Sequence, residues 1–160
     1  MFSSKAYRGR TKTVDRIPEE AQRILQEGFF AYMGTVEEGC NPHVTAMFFI
    51  WDRDSETLLL ISSEANRKVR NIKKNPNVCV TIDERDPDSP AGNEGVMIRG
   101  KAELLELGIV DEIWVNQYLQ KYLDFLGYGF PLGERIAIRI VPRSLSYWKG
   151  TKFCKWKNPR

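Results

Sequence analysis

Leu58-Leu59-Leu60-Ile61-Ser62-Ser63-Glu64-Ala65-Asn66-Arg67-Lys68-Val69-Arg70-Asn71-Ile72-Lys73-Lys74-Asn75-Pro76 is the stretch around which the rest of the chain is arranged. A short apolar run that ends at small hydroxyl residues reads as a buried strand. The basic segment after it reads as a short helix, with Ser63 as N-cap and Ala65, Val69 and Ile72 on one face at i, i+4, i+7. Pro76 disfavours helical geometry at Asn75 and stops the helix there.

Strand, turn and helix in this order can hold an anion. The first amides of a helix lack internal acceptors and the dipole is positive there, so a phosphate can sit on Glu64 to Asn66. Ser62 and Ser63 add hydroxyl donors, and Arg67 and Lys68 follow. On a helical projection Lys68 flanks the apolar face while Arg67, Arg70 and Lys74 point to water. A solvated basic face accounts for the same residues, so composition leaves both readings open.

The bulk numbers bound the class. The chain's 160 residues suffice for one domain with a real core. Hydrophobic residues at 42% and charged residues at 28% fit a globular protein rather than a disordered or membrane one. A net charge of +3 is too mild to indicate a nucleic-acid binder. Lys149, Lys152, Lys155, Lys157 and Arg160 nonetheless make a basic tail, interleaved with Tyr147, Trp148, Phe153 and Trp156. Those rings could stack on bases, on a flavin, or on another subunit. Cys40, Cys79 and Cys154 are scattered and odd in number, which argues against disulfides or zinc and for a reducing cytoplasm. Met1 to Thr13 is basic without an apolar core, unlike a secretory signal. No apolar run approaches the roughly 18 residues of a membrane span.

In chain order, residues 1–16 read as a polar arm, 17–150 as one domain and 151–160 as the basic tail. A helix starts at Pro18, with Glu19 and Glu20 in its first turn, Ala21, Ile24 and Leu25 on one side, and Gly28 at its end. Strands follow at Phe29 to Val36, His43 to Asp52 and from Thr57, joined by short turns as an antiparallel meander that Val78 to Asp83 resumes after the basic helix. Asp86 to Gly95 is a loop, and Val96 to Leu104 alternates as a half-wet strand. Ile109 to Leu126 has the longest helical period, carried by Ile109, Ile113, Trp114, Tyr118, Tyr122 and Phe125 or Leu126. Gly127 to Pro131 is a loop, Arg135 to Val141 a last strand, and Ser146-Tyr147-Trp148 an edge beyond Pro142. Sequential antiparallel strands with few helices favour a closed barrel, which removes exposed edges.

Few residues stand out as chemistry. His43, the one histidine, has no metal-ligating cluster of His, Cys or carboxylates near it in sequence, so no metal site is proposed. A lone His at a strand start is more often a satisfied structural or turn residue than a catalyst. Ser62 and Ser63 lack a nucleophile-elbow pattern. Trp148 with Gly150 suits either a lid over a planar ligand or a subunit contact, and Cys79 inside a strand reads as core. No general acid or base is evident, which fits a bound redox cofactor that carries the chemistry itself.

The ordered pieces His43-Val44-Thr45-Ala46-Met47-Phe48, Ile61-Ser62, Asn66-Arg67-Lys68, Asn75-Pro76, Gly100-Lys101-Ala102-Glu103 and Trp148-x-Gly150 resemble the pyridoxamine 5'-phosphate oxidase-like flavoproteins, from about Phe30 to Gly150. The resemblance implies a mainly β (α+β) fold, a split β-barrel of roughly six to seven antiparallel strands of the FMN-binding type, with flanking helices. It implies a homodimer with FMN at the subunit interface and oxidoreductase chemistry on a small molecule. An 8-hydroxy-5-deazaflavin coenzyme on the same fold, or flavin binding without catalysis, are the alternatives. Carried over, His43, Val44, Thr45, Ala46, Met47 and Phe48 would line the ring and ribityl chain. Ile61, Ser62, Ser63 and Asn66 would contact chain and phosphate, Arg67 and Lys68 would hold the phosphate, and Trp148 would come from the other subunit. Gly95 stands where the family often has a polar ring contact. His43 stands where vitamin B6 oxidases have an Arg, and Cys154 and Trp156 stand where they grip substrate with Arg and His. Asn158 replaces a final flavin-contacting Arg. These departures point away from a vitamin B6 substrate.

Overall fold

The structure is a computed structural model and describes residues 11–127 and 134–160. Its strands are β1 (Lys12–Val14), β2 (Ala31–Val36), β3 (Pro42–Met47), β4 (Ile50–Asp52), β5 (Thr57–Ser63), β6 (Asn77–Glu84), β7 (Glu94–Glu106), β8 (Arg135–Lys149) and β9 (Lys152–Lys157). The helices are α1 (Glu19–Glu27), α2 (Arg67–Lys74), α3 (Glu112–Lys121) and α4 (Leu123–Leu126).

The nine strands form one sheet in the order β1-β9-β8-β7-β6-β2-β3, with β5 added to β8 and β4 to β5. Every pairing is antiparallel except β1 on β9. The expected closure is not made: β3 and β4 end two branches of the sheet without pairing to each other. The segments read as an arm and a tail both supply strands, β1 and β9, which extends the sheet past the expected number.

The simple meander is likewise corrected. β2 pairs with β3 and β6, whereas β5 crosses to β8 through the register Ser62↔Ile136 to Leu58↔Ile140. The expected single strand from His43 to Asp52 is broken at Phe48 and Phe49, because the Tyr122 hydroxyl occupies the Phe49 amide (2.9 Å) and lies 2.7 Å from its carbonyl oxygen. β8 is one central strand rather than a strand plus an edge. A register shift between Arg99 and Gly100 puts Pro142 opposite Gly100, where its missing amide breaks no ladder.

α1 begins after Pro18 and buries Ala21, Ile24 and Leu25 as its period requires. In β7 Val96, Ile98 and Ala102 are buried and Arg99, Lys101 and Glu103 exposed, as alternation predicts. The expected helix from Ile109 instead starts at Glu112, with the Asp111 carboxylate capping the Ile113 amide at 2.9 Å, and is interrupted at Tyr122. Ile109 and Ile113 are consequently exposed. The Gly127 to Pro131 loop lies largely outside the described residues. Cys79 is exposed rather than core, because Val78, Val80 and Ile82 take the inward positions of β6.

The core has two parts. One lies between the sheet and α1 and α2, around Ile24, Met33, Val80, Ile98 and Trp156. The other lies under α3, around Ile50, Leu59, Ile61, Tyr118 and Tyr122. Alternate residues of β5 serve opposite parts, which is why its run from Leu58 to Ile61 is apolar throughout. Among the described residues no helix is long and apolar enough to cross a membrane.

Candidate functional site

A cleft of about 240 Å³ opens where the end of β3, the end of β5, the start of α2 and the α3–α4 cover meet. Ala46, Met47 and Phe48 form one side, Ile61 and Ser62 the second, Asn66 and Lys68 the third. These seven are residues singled out from the sequence. The structure adds Tyr118, Leu126 and Arg135.

α2 starts one turn later than expected, at Arg67, with Asn66 rather than Ser63 in the N-cap position. The cause is backbone satisfaction. The Glu64 amide donates to the Glu134 carbonyl (3.4 Å) and the Asn66 amide to the Ser63 carbonyl (3.2 Å), so two of the three amides expected to hold an anion are already used. The Val69 and Arg70 amides both donate to the Asn66 carbonyl, at 3.1 and 3.3 Å. Among the described residues the first-turn amides without an acceptor are those of Arg67 and Lys68.

The side chains of this corner are unevenly satisfied. Ser62 is buried, and its hydroxyl accepts from the Asn66 amide group at 3.1 Å. Lys68 is only 8% exposed, and its ammonium has no hydrogen-bond or ion-pair partner among the described residues. Burial accordingly lowers its pKa from the usual lysine value. Arg67 differs: it is exposed, outside the cleft, and paired with Glu37 at 3.1 Å. Glu37 also lies 3.8 Å from the His43 imidazole.

The remaining expected residues are not brought to the cleft of their own chain. His43, Val44 and Thr45 lie further back along β3, where Val44 is exposed and the Thr45 hydroxyl is buried without a partner. Ser63 borders a neighbouring hollow with Glu64, Ala65 and Glu134. Trp148 sits 12 residues along β8 from Ile136, the partner of Ser62, or roughly 40 Å of strand.

Tyr118, Tyr122 and Lys121 were missed as site-shaping residues. The helical period showed the two tyrosines, but not that the Tyr122 hydroxyl would clamp the β3–β4 break and also lie 3.0 Å from the Phe29 carbonyl. The Tyr122 ring stacks on Phe48 with centroids 4.2 Å apart. Lys121 donates to the carbonyls of Gly28 (2.7 Å), Gln26 (3.3 Å) and Phe49 (3.3 Å), which ties α3 to the end of α1. Burial lowers its pKa to about 8, while those three oxygens favour the ammonium. Burial raises the Tyr122 phenol to about 12, so it remains a donor through the neutral range. Tyr122→Phe keeps the stacked ring and strands the buried Phe49 amide. A destabilisation of about 1–3 kcal/mol in urea denaturation is expected.

The positions aligned with a vitamin B6 grip face elsewhere. Trp156 is 1% exposed and part of the core, and Cys154 shares its strand with an inward-facing register opposite Tyr147. The Asn158 side-chain amide donates to the Pro142 carbonyl at 2.8 Å.

A family model described as pyridoxamine 5'-phosphate oxidase matches residues 17–149. Among solved structures, an F420 reductase is 27% identical, with 81% of this chain and 98% of that one covered and a TM-score of 0.67. A Listeria innocua protein provisionally named pyridoxamine 5'-phosphate oxidase is 26% identical, covering 81% and 95%, with a TM-score of 0.64. General stress protein 26 of Bacillus anthracis, at 22% identity, 84% and 95% coverage and a TM-score of 0.65, shares the fold. Among curated proteins none matches the chain.

Proposed function

The chain belongs to the pyridoxamine 5'-phosphate oxidase family, and from that premise we propose that it binds FMN and acts as an oxidoreductase on a small organic molecule other than a vitamin B6 phosphate. The observation that carries this reading is Lys68, a buried residue beside Ser62 and Asn66 whose ammonium has no carboxylate partner among the described residues. A buried cation without a counter-ion is costly, and a phosphate would remove that cost. The donor set fits such a group: one ammonium and two α2 amides without a partner among the described residues, joined by the second Asn66 amide hydrogen and by a Ser62 hydroxyl that now donates only a 3.3 Å bond to the Ser63 carbonyl.

When bound, FMN supplies the transfer of a hydride or electron pair to or from the substrate. The chain's own residues bind and orient. Lys68, Ser62 and Asn66 hold the phosphate, with Arg67 adding longer-range attraction from its exposed pair with Glu37. Ala46, Met47 and Phe48 line the ribityl chain and one side of the ring, and Phe48 is held by its stack on Tyr122. His43, Val44 and Thr45 extend that wall along β3.

Trp148 is too far along β8 to serve its own cleft, so it serves the partner's. The outward face of the sheet carries Phe30, Tyr32 and Val44 at 46, 48 and 63% exposed, an apolar strip suited to a second copy of the chain. Light scattering is expected to give twice the 18.5 kDa chain mass. A monomer that holds flavin tightly would overturn the dimer.

The F420 reductase among the relatives favours a second reading, a deazaflavin coenzyme in the same cleft. The visible spectrum of the purified protein, with mass analysis of what heat releases, separates the two. Steady turnover with a reduced nicotinamide and an acceptor rejects a purely flavin-storing role. A colourless protein that gains no thermal stability from FMN or deazaflavin would overturn the whole reading.

A further inference from the structure

The strand parity of β8 and β9 sorts the basic, aromatic C-terminal segment into two sets. Tyr147, Trp156 and Leu145 point inward, with Trp156 and Leu145 fully in the core. Outward, three rows cross β7, β8 and β9: Gly95, Trp148 and Phe153; then Met97, Ser146 and Lys155; then Arg99, Ser144 and Lys157. Successive rows lie about 7 Å apart along the strands.

Two independent features mark this face. Arg99, Lys155 and Lys157 have no ion-pair or hydrogen-bond partner among the described residues, although most other surface cations do. The carboxylate that borders these rows, Asp83 on β6 opposite Gly95, is paired with Arg85. The second feature is the seating of the Trp148 indole. A Cβ on Gly95 would lie 2.4 Å from the Trp148 ring, so the missing side chain is what lets the indole rest on the sheet. Phe153 stands next to it across the strand pair and is 51% exposed.

We propose that this face binds a nucleotide bearing two or more phosphates, its ring on Phe153 alongside the Trp148 indole and its phosphates on Lys155, Lys157 and Arg99. Ser144 lies between Arg99 and Lys157, and Ser146 beside Lys155, as hydroxyl donors. Aromatic rings above and cations one and two rows below reproduce the order of base and phosphates in such a molecule. Three cations over two rows match one nucleotide and fall short of a nucleic-acid strand. In the dimer proposed above Trp148 faces the partner's flavin, so the ligand would lie beside that flavin, as a dinucleotide electron donor must. That last assignment rests on the flavin reading; the binding itself does not.

The test is titration of the full chain with ADP, pyrophosphate and adenosine, followed by Trp fluorescence and calorimetry. Saturable ADP binding, with each fragment weaker by about tenfold or more, is expected. Lys155→Gln/Lys157→Gln should weaken ADP by about tenfold, the worth of two exposed charge contacts, and leave FMN within about twofold. Phe153→Leu should weaken ADP and adenosine but not pyrophosphate. Lys68→Ala should weaken FMN and spare ADP, which separates this face from the cleft. If FMN fails to bind the unmodified chain while ADP binding shows this pattern, the flavin reading falls and this one stands. The proposal is overturned by absent ADP saturation, by equal ADP affinity in the double variant, or by an oligothymidine that binds more tightly than ADP.

Discussion

Replacing Lys68 by methionine is expected to stabilise the cofactor-free protein and at the same time to weaken FMN binding. The two effects have one cause. Lys68 is 8% exposed as a residue, and its ammonium lacks a partner among the described residues and has its pKa lowered by burial. Methionine keeps the length of the stem, fills the same space and removes the charge. Loss of the buried charge should raise stability by about 1 kcal/mol, the low end of what apolar replacement of buried ionic groups returns. Loss of a charge-assisted contact should cost about 1.5–3 kcal/mol of FMN binding, or roughly 10- to 150-fold in Kd. Arg67→Ala, by contrast, removes an exposed ion pair and is expected to change affinity by less than about 1 kcal/mol.

The pH dependence gives the same argument a second readout. Because the native chain binds the Lys68 proton less tightly than the unfolded chain, the cost is fully present below the native pKa. It fades as pH rises from that lowered value to 10.5, so stability climbs across that window. Lys68→Met should flatten the climb. A variant as stable as the parent, with the same pH profile and the same FMN affinity, would remove Lys68 from the site.

How far the sequence discloses this site depends on how local each cause is. Ser62, Asn66 and Lys68 are legible because strand, turn and helix are contiguous, so the chain itself brings them together. The helix start is not, because the Glu64 amide takes its acceptor from Glu134, seventy positions away in sequence. The β3–β4 break is equally remote, set by a Tyr122 hydroxyl on another helix. Pro142 looks like a strand end until the register shift at Arg99 and Gly100 gives it a place inside β8. Cys79 is different. Its exposure follows from the parity of Val78, Val80 and Ile82, a signal present in the sequence.

The largest stability effect is expected from Arg23, which no periodicity singles out. Its guanidinium joins three elements: 2.6 Å to Glu94 at the start of β7, 3.0 Å to Glu84 at the end of β6, and 3.3 Å to Glu27 on its own helix. Glu94 is 7% exposed and also accepts from the Tyr147 hydroxyl at 2.7 Å, while Lys149 stands 3.6 Å away. Burial and this carboxylate hold the Tyr147 phenol well above its usual pKa, so it stays a donor. Arg23→Leu would leave the Glu94 charge buried with one hydroxyl and one distant ammonium. A loss of about 3 kcal/mol is expected, which for a chain of this length lowers Tm by about 6–12 °C. Glu94→Gln keeps acceptor and shape and should cost less. The decisive comparison is the double variant Arg23→Leu/Glu94→Leu, which removes both charges and lets α1 pack on β7 through apolar contact. It should recover part of the single-variant loss, because most of that loss is the penalty of an abandoned buried carboxylate rather than the worth of the pair. Strict additivity of the two single losses would mean that the cluster holds α1 by separate contacts, and not as one charge-balanced joint.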